Sequence, residues 1–336
     1  MLNTRQIVTR YGGSEVLEVV QEPLRTPDKG EIRVKVQSAG VALADIMRRE
    51  GKYPSSPTPP FTPGYDVVGI VDELGDGVKQ YSIGEKVAVF FNGTGGYAAY
   101  VYANSDEVVS IPAHIDATSA NAVILNYVTA YQMLHRIAKV SPGESILIHG
   151  ASGGVGTALL ELGRLSNLRM FGTASSTKHS AVSRFGAMPI DYRNEDFVDI
   201  LRIQAPNGID AVFDSIGGQN YERSLRTLSR NGRFVGYGYT SILEQGEAKD
   251  WAESWKNLSN RRTTDTGNPI YLYSITSLKK ERLDWFQEDV QFLVSLLDEG
   301  KINPLISHRI PLREAGRAQE LLEKSLAVGK IVLVND

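Results

Sequence analysis

Hydrophobic and polar residues follow two different patterns along the chain, and the change falls near residue 118. In the stretch EIRVKVQS, Ile32, Val34 and Val36 alternate with charged or polar residues, which is the period-two pattern of a half-buried strand. Further short apolar runs follow, separated by glycine-containing turns: DVVGIVDE, EKVAVF, YAAYVYA and EVVSI. Closely spaced strands with such turns predict an antiparallel barrel or sandwich for this β-rich region.

From about residue 119, helical stretches alternate with short buried strands. The helical stretches include ATSANAVILNYVTAYQMLHRIAK, TALLELGRLS and KHSAVSRFGA, and the strands are SILIHG, RMFGTAS, IDAVFDSIGG and GRFVGYGY. This alternation predicts βαβ units around a parallel sheet, so the expected fold class is α/β. Two further helices, WFQEDVQFLVSLLDEG ending at Gly300 and LREAGRAQELLEKSLA, precede a terminal strand, GKIVLV.

Two segments lack a regular pattern. Five prolines between residues 54 and 63 exclude a regular helix or strand there, and the stretch is either a rigid surface crossing or one wall of a cleft. Residues 241–280 are charged and carry Trp251 and Trp255, and their pattern assigns no element. That second segment could cover a cleft or join a dimer interface.

Composition narrows the classes of protein to consider. The 336 residues are enough for two domains, and a hydrophobic content of 42% permits a sizeable core. With 39 acidic and 36 basic residues the net charge is -3, so no basic excess favours nucleic acid as a partner. The absence of cysteine excludes disulfides, thiolate nucleophiles and cysteine-ligated zinc. Because the sequence shows neither a secretory signal nor a run of about 18 apolar residues, we expect a soluble cytoplasmic protein with no membrane span.

The strongest local motif is SILIHGASGGVGTALLELG, in which a strand, a turn of small residues and a helix follow one another. Ala151, Gly153 and Gly156 occupy the three positions of the dinucleotide fingerprint, with alanine in place of the first glycine. Small residues allow a tight turn and a close approach of the backbone to a pyrophosphate at the helix N-terminus. The predicted contacts are Ser152, Gly153, Gly154, Val155 and Gly156. The alternative is a tight strand-to-helix turn with no ligand.

The end of the next strand predicts which dinucleotide binds. An NAD site usually has Asp or Glu about 20 residues after the motif, whereas this chain has Ser175, Ser176 and Lys178 there and no acid. Hydroxyl groups and a cation suit a 2′-phosphate, to which Tyr192 could also donate or against which it could stack. We therefore predict NADPH rather than NADH as the cofactor. Lys178 could instead be a solvated lysine at a helix start.

The five histidines offer no metal site by their spacing. His114, His135, His149, His179 and His308 are scattered, without an HxH or HExxH arrangement. Each is more simply explained as a structural or solvated residue, and His149 beside the glycine-rich loop as a packing residue. The sequence therefore predicts no metal site.

Several motifs together resemble one known family. The stretches AGVALADIMRREGKYP, PFTPGYDVVGIVDELGDGV, GEKVAVF, NYVTAY, GASGGVG and GKIVLV are similar to those of the medium-chain dehydrogenase/reductase superfamily, in its zinc-independent quinone oxidoreductase branch. NYVTAYQML, FGTASSTKH and PIDY are most similar to synaptic vesicle amine transport protein-like members. The resemblance implies a GroES-like catalytic domain over 1–118 and 266–336 and a Rossmann NADP-binding domain, a doubly wound parallel sheet, over 119–265. It also implies a homodimer or homotetramer and an active site in the interdomain cleft.

The same resemblance shows where the family's zinc ligands would fall. The metal cysteine falls at Ala42, the histidine at Tyr65 and the third ligand near Asn126, while the proton-relay hydroxyl falls at Ala44. An alanine offers no ligand, so the resemblance implies a reaction without zinc as a Lewis acid. Many quinone reductases carry asparagine where this chain has Ala42, which leaves the pose of the substrate undefined.

The resemblance further implies individual site residues. On the cofactor side these are Thr129, Gly236, Tyr237, Gly238 and Lys330, although Lys330 could equally be an exposed lysine at a strand start. Candidate proton donors are Tyr53, Tyr65 and Tyr127, with water as another possibility. Tyr127 could instead pack beside the nicotinamide ribose, and Tyr65 could simply fill the vacated zinc position. Asp45 is expected to support the cleft by hydrogen bonds rather than act as an acid.

These residues lead to one functional hypothesis and one alternative. The hypothesis is an NADPH-dependent oxidoreductase that transfers hydride without zinc to quinones or α,β-unsaturated carbonyl compounds, acceptors that are activated before they bind. The alternative is an NADPH-binding protein with little catalytic activity that acts as a binding or regulatory module. Its motivation is that Ala42 and Ala44 leave the expected cleft poor in acid–base groups.

Overall fold

A computed structural model describes residues 1–245 and 248–335. The chain forms two compact units, one of residues 1–125 with 287–336 and one of residues 126–286. The sequence predicts boundaries after residues 118 and 265, whereas the units divide after residues 125 and 286. One reason for the later second division is that the strand Ile270–Leu272 hydrogen-bonds to the sheet of the second unit.

The strands of the described residues are β1 (Leu2–Val8), β2 (Leu17–Pro23), β3 (Glu31–Val41), β4 (Asp66–Leu74), β5 (Lys86–Phe90), β6 (Tyr100–Asn104), β7 (Val108–Ser110), β8 (Ser145–Ile148), β9 (Arg169–Ala174), β10 (Met188–Asp191), β11 (Ile209–Asp214), β12 (Leu228–Gly236), β13 (Ile270–Leu272), β14 (Ile306–Pro311) and β15 (Lys330–Val334). The helices are α1 (Leu43–Arg49), α2 (Ala117–Ala122), α3 (Val128–Tyr131), α4 (Gly154–Leu165), α5 (His179–Ser183), α6 (Phe197–Gln204), α7 (Gln219–Leu225), α8 (Ser241–Gln245), α9 (Ala248–Asn260), α10 (Ile275–Glu281), α11 (Leu283–Asp298) and α12 (Ala315–Glu323).

The first unit is built on a mostly antiparallel sheet. Its strand order is β14-β15-β3-β4-β5-β7, with β6 also paired to β3, and β1 and β2 form a separate hairpin. The alternation predicted for β3 is confirmed, because Ile32, Val34 and Val36 are buried in the core. The terminal strand β15 pairs with β3, with Ile331 opposite Val41. The end of the chain therefore completes the sheet that the N-terminal region begins.

The second unit is a doubly wound parallel sheet. Its order is β10-β9-β8-β11-β12-β13, and every neighbouring pair is parallel. The chain winds outward from β8 in one direction and from β11 in the other, so the order reverses between these two strands. Ile146, Leu147 and Ile148 in β8 are fully buried, as expected for a strand covered on both faces. The predicted α/β fold class with a Rossmann sheet is confirmed.

Two segments each contain several elements that the sequence pattern did not separate. The predicted helix over 117–139 is continuous but changes its winding: π-helical segments, Val123–Tyr127 and Gln132–Ile137, stand on either side of α3. Residues 241–280, which the pattern left unassigned, contain α8, α9, β13 and α10 within their described part. The proline-rich stretch 54–63 contains no helix or regular strand, as predicted. Among the helices of residues 1–245 and 248–335, none is long and apolar enough to cross a membrane.

Candidate functional site

The loop after β8 is shaped by glycines that admit no side chain. The strand ends at Ile148, Gly150 adopts a φ of +65°, and α4 begins at Gly154. A Cβ on Gly156 would lie 2.3 Å from the Gly150 carbonyl oxygen and 2.7 Å from Ala151 Cα. A Cβ on Gly153 would meet only the Gly150 oxygen, at 3.3 Å. Gly156 is thus required for the turn to close, whereas Gly153 borders space that the turn itself does not use.

This loop presents the start of a helix at the point where the strand order reverses. The helix α4 has 12 residues, and no side chain caps its N-terminus at Gly153. Its first backbone N–H groups therefore remain available, and the helix dipole adds partial positive charge there. In doubly wound sheets, ligands bind outside the carboxyl ends of the strands at such a reversal. The arrangement of the predicted residues Ser152, Gly153, Gly154, Val155 and Gly156 fits a pyrophosphate.

A neighbouring amide packs against the same helix start. The side chain of Asn126 is buried, and a Cβ on Gly154 would lie 2.3 Å from its Nδ2. Asn126 is the position that the resemblance assigns to a third zinc ligand. In the structure its amide closes one side of the glycine-rich loop.

A series of buried side chains joined by hydrogen bonds supports the loop. Ser224 Oγ donates to Asp214 Oδ2 at 2.7 Å, so His149 Nε2 must donate to Ser224 Oγ at 3.0 Å. His149 Nδ1 then accepts from Thr173 Oγ1 at 3.1 Å, and Thr173 Oγ1 accepts from the Gly150 N–H at 3.3 Å. Burial lowers the pKa of His149 and keeps its ring neutral, although Asp214 opposes this effect. His149 is a buried polar packing residue whose hydrogen bonds connect the loop to β9, β11 and α7.

The residues predicted for the 2′-phosphate follow adjacent strands at one edge of the sheet. Ser175, Ser176 and Lys178 come directly after β9, and Tyr192, which is exposed, comes directly after β10. Lys178 is half-buried, and burial together with the neighbouring cation of Arg193 lowers its pKa. Two cations therefore stand close together after the ends of β9 and β10. Arg193 was not predicted as a site residue from the sequence, although it directly follows Tyr192.

The remaining predicted cofactor residues of this unit lie at two further places. Thr129, in α3, is 5% exposed, and its Oγ1 is buried without a hydrogen-bond partner in the described chain. A buried hydroxyl without a partner is costly unless a ligand supplies one. Gly236 ends β12, and Tyr237 and Gly238 follow it; the Tyr237 N–H donates to the Asp214 carbonyl at 3.0 Å. A Cβ on Gly238 would lie 3.1 Å from the Ser215 carbonyl oxygen, so this turn is also closely packed.

Tyr127 differs from the other predicted proton donors. Its hydroxyl donates to Glu161 Oε2 at 2.5 Å inside the second unit, and the residue is 2% exposed. Burial and the adjacent carboxylate raise the pKa of Tyr127 far above its ordinary value. Its proton is therefore already donated to Glu161, and the other two candidate donors, Tyr53 and Tyr65, lie in the first unit together with Asp45.

Asp45 is fully buried near the start of α1. Its Oδ2 accepts the Ala42 N–H at 2.8 Å and the Tyr97 hydroxyl at 3.0 Å, while its Oδ1 has no partner in the described chain. Ala42 has no side-chain oxygen, so only the Asp45 half of a capping box forms. Burial raises the pKa of Asp45 to about 6, although the Ala42 N–H, Arg48 and Tyr97 each lower it. These contacts agree with the expected supporting role.

Arg48 lies against the rings of both Tyr53 and Tyr65. This arginine was not predicted as a site residue from the sequence. Its guanidinium carbon lies 3.8 Å from the centre of the Tyr53 ring and 4.7 Å from that of Tyr65. Arg48 also donates a short hydrogen bond to the Tyr65 hydroxyl. Burial and the nearby Tyr53 raise the pKa of Tyr65, and Arg48 opposes them. Arg48 stands in the charged run RRE at a helix C-terminus, which normally indicates a solvated helix end.

Lys330 is buried in an ion pair. Its Nζ lies 3.3 and 3.4 Å from the two carboxylate oxygens of Asp66, and both residues are at most 2% exposed. A Cβ on Gly40 would lie 2.4 Å from this ammonium, so the glycine leaves room for the pair. The interpretation of Lys330 as an exposed lysine is wrong, because β14 and β3 flank its strand on both sides. Its contact with a cofactor stays a prediction, since the ammonium already has a partner.

The residues at the family's zinc positions do not fit a metal. Ala42 has no ligand atom, and the Tyr65 oxygen already accepts from the cation Arg48. Over the described ranges, no group of three or more His, Asp or Glu side chains is arranged to hold a metal ion. A divalent cation beside Arg48 would meet like charge rather than neutralising ligands.

Two family profiles match the chain, one in each half of the sequence. The profile described as "Alcohol dehydrogenase GroES-like domain" matches residues 28–113, and "Zinc-binding dehydrogenase" matches residues 185–333. The first match confirms the predicted GroES-like character of the β-rich region.

Similar proteins cover nearly the whole chain. The human "Synaptic vesicle membrane protein VAT-1 homolog-like" is 32% identical over 97% of this chain and 80% of its own length. The rat "Quinone oxidoreductase" is 30% identical over 97% of this chain and 96% of its own length. The structure of the Escherichia coli quinone oxidoreductase complexed with NADPH is 29% identical, with a TM-score of 0.86 over 98% of this chain and 99% of that one. The chain therefore belongs to the medium-chain dehydrogenase/reductase superfamily, in the branch that contains the quinone oxidoreductases and the VAT-1 homologues, as its motifs predict.

Proposed function

We propose that this chain is an NADPH-dependent oxidoreductase that transfers hydride, without zinc, to quinones or α,β-unsaturated carbonyl compounds. The observation that carries the proposal is the loop after β8, whose glycines leave the N-terminus of α4 open while Lys178 and Arg193 stand at the same sheet edge. The Escherichia coli quinone oxidoreductase of similar fold was solved with NADPH, which supports the same cofactor for this chain.

The cofactor would be held by backbone at one end and by side chains at the other. The N–H groups of Ser152, Gly154, Val155 and Gly156 would bind the pyrophosphate, because the helix dipole and unpaired amides favour an anion there. Gly153 would contact it through its lack of a side chain, since its own N–H donates to the Gly150 carbonyl at 2.9 Å. Ser175, Ser176 and Lys178 bind the 2′-phosphate, with Tyr192 against it and Arg193 adding a second positive charge. Thr129 supplies its unpartnered hydroxyl on the nicotinamide side. The turn 236–238 approaches the nicotinamide ribose through its backbone.

The acceptor must be electrophilic before it binds, since residues 1–245 and 248–335 offer no set of metal ligands to polarise it. NADPH, when bound, supplies a hydride to the conjugated acceptor. The chain orients the acceptor and supplies a proton to the oxygen that becomes negative. Tyr65 is the proposed donor, with Tyr53 beside it, and Asp45 holds α1 in place through Ala42 and Tyr97.

Three measurements on the purified chain test this function: nucleotide titration, NADPH oxidation and elemental analysis. Intrinsic fluorescence is titrated with NADPH and with NADH, and NADPH oxidation is then followed with 9,10-phenanthrenequinone and with an alkenal. We expect tighter binding of NADPH than NADH and turnover of at least one acceptor class. Equal affinity for both nucleotides would contradict the 2′-phosphate site, and one tightly held metal per chain in elemental analysis would contradict the zinc-independent mechanism.

A second candidate function rests on the VAT-1 homologues. These proteins, named for a synaptic vesicle membrane, are 30–32% identical over almost the entire chain, as similar as the quinone oxidoreductases. The second candidate is accordingly an NADPH-binding module with little catalysis. Tight NADPH binding without turnover on a broad panel of quinones and enones would favour it.

We further propose a cytoplasmic homodimer or homotetramer. Sedimentation of the purified chain would check the number of subunits.

A further inference from the structure

Arg48 is a buried cation whose guanidinium has no carboxylate partner. The residue is 6% exposed, and in residues 1–245 and 248–335 no Asp or Glu oxygen lies within 4.0 Å of its nitrogens. The adjacent Arg49 shows how the same unit treats a structural arginine. Arg49 is fully buried, but it forms ion pairs with Glu50 and Glu323 and donates to Gln319.

The surroundings of Arg48 hold the guanidinium in place without neutralising it. Tyr53 and Tyr65 lie against its faces, and Arg48 also makes a long polar contact of 3.4 Å with the Asn92 carbonyl oxygen. Gly93, at a φ of +99°, lets the backbone approach so closely that a Cβ there would lie 2.5 Å from the guanidinium carbon. Asp45 contributes favourable charge only through space. The position is therefore packed for a guanidinium but lacks its counter-charge.

The hydroxyl of Tyr65 is also incompletely used. Arginine can only donate hydrogen bonds, so Tyr65 Oη is the acceptor from Arg48 and keeps its own proton. That proton has no acceptor in the part of the chain that the structure describes. Burying a charge without a partner costs several kcal/mol by order of magnitude, which a bound anion would offset. Tyr53, whose ring lies against Arg48, is half-buried.

We propose that Arg48 and Tyr65 form an oxyanion-binding pair that receives the negative charge developing on the carbonyl oxygen of the acceptor. This inference rests on the proposed function and assigns its anion-stabilising group. Tyr65 is the catalytic residue that touches the oxygen, and Arg48 is the positioning residue that acts through it.

A conjugated enone illustrates the proposed reaction. Hydride forms a new bond to the β-carbon, the C=C electrons shift to the bond between the α-carbon and the carbonyl carbon, and the carbonyl π electrons move to oxygen. The acceptor is thereby reduced by two electrons, and NADPH is oxidised to NADP⁺. The enolate oxygen takes the proton of Tyr65, and the tyrosinate, held beside the Arg48 cation, regains a proton from solvent.

The first test uses a stable mimic of the enolate and needs no turnover. 4-Nitrophenol, whose acidity lies near neutrality, is titrated into the NADP⁺-saturated protein across a pH series while the phenolate absorption band is recorded. We expect the wild type to bind the phenolate in preference to the phenol and to lower its apparent pKa. Arg48→Met should weaken phenolate binding about tenfold or more, and Arg48→Lys should restore part of it. Arg313→Met, which removes an exposed arginine of the same unit, is the matched control and should bind as the wild type does.

Tyr65→Phe is the second variant and keeps the aromatic ring. It should lower phenolate affinity and reduce kcat for enones much more than it raises KM, because the hydroxyl acts only as charge develops. If Arg48→Met does not fold, Arg48→Lys and Tyr65→Phe still decide the matter. Equal binding of phenol and phenolate by the wild type, or unchanged phenolate binding in both variants, overturns the pair. Normal phenolate binding with no turnover of any acceptor would instead overturn the proposed function and, with it, the catalytic role of the pair.

Discussion

The glycine-rich loop of the second unit and the Arg48 cluster of the first unit are built on opposite principles. The loop depends on the absence of side chains: Gly156 allows the turn to close and Gly153 leaves space at the N-terminus of α4, so that backbone amides are available there. The cluster achieves its chemistry by burying side chains, with Arg48, Tyr53, Tyr65 and Asp45 packed into the β-rich unit.

The difference shows where each region carries its energetic cost. In the loop the cost is conformational, since glycines lose more backbone entropy on folding than other residues. In the cluster the cost is electrostatic, since Asp45 and Arg48 are ionisable groups removed from water. The loop should therefore respond to added volume, and the cluster should respond to pH and to the removal of charge.

The largest expected effect is a pH-dependent cost at Asp45. Burial raises its pKa from the ordinary 3.8 to about 6, so the folded state holds the proton that the unfolded chain releases first. The contribution of Asp45 to stability is thus lost as pH rises from about 4 to about 6 and stays lost above that, a change of about 3 kcal/mol. Asp45→Asn does not titrate. The free energy of unfolding in urea, wild type minus Asp45→Asn, should fall by that amount between these pH values.

A surface carboxylate provides the control for this measurement. Asp76 is exposed in the same unit, and Asp76→Asn reports the effect of removing one carboxylate from the surface. A wild-type-minus-Asp45→Asn difference that stays constant over the pH series would mean that Asp45 is solvated in the protein, contrary to its burial.

Two alanine substitutions in the loop should separate its folding role from its binding role. Gly156→Ala places a Cβ 2.3 Å from a backbone oxygen, which cannot move aside. We therefore expect the free energy of unfolding to fall by about 1–3 kcal/mol and NADPH binding to be lost as well. Gly153→Ala meets a single atom at 3.3 Å and should change stability much less, while still lowering NADPH affinity by intruding on the phosphate space. Urea unfolding and fluorescence titration give the two readouts. Equal stability losses in both variants would contradict this separation.

The same contrast explains what could be predicted from the sequence. The loop could be predicted from the sequence, because the need for small residues at Gly153 and Gly156 is a local steric requirement. The strand and helix that flank them follow from hydrophobic periodicity. The role of Arg48 could not be predicted, because the sequence around an arginine at a helix end is the same whether its side chain is solvated or buried. Only the folded unit places Gly93 and Tyr65 against it. The burial of Lys330 could not be predicted for the same reason: its partner Asp66 lies far away in sequence.

The cofactor preference should depend on the charge at Lys178. Lys178→Ala removes one of two adjacent cations from the proposed 2′-phosphate site, so NADPH affinity should fall about tenfold to a hundredfold while NADH affinity changes by about twofold or less. Lys139→Ala removes an exposed lysine from the same unit and is the charge-matched control. Fluorescence titration with both nucleotides measures the ratio. Parallel losses for NADPH and NADH would place Lys178 away from the 2′-phosphate and leave Arg193 as the remaining candidate cation.

The smallest expected effect is at Thr129, where one substitution should leave stability unchanged or slightly higher but lower the affinity for NADPH. Its Oγ1 is buried without a partner in the described chain, so Thr129→Val should leave the thermal stability of the ligand-free protein unchanged or slightly higher. With NADPH present, the lost hydroxyl should lower affinity severalfold, corresponding to about 1 kcal/mol for one hydrogen bond. Thr157→Val is the contrasting variant, because Thr157 Oγ1 donates to the Gly154 carbonyl at 3.1 Å and its removal should lower stability without ligand. A Thr129→Val variant that destabilises the ligand-free protein as much as Thr157→Val does would show that the Thr129 hydroxyl serves the fold, and the nicotinamide side of the site would then need another donor.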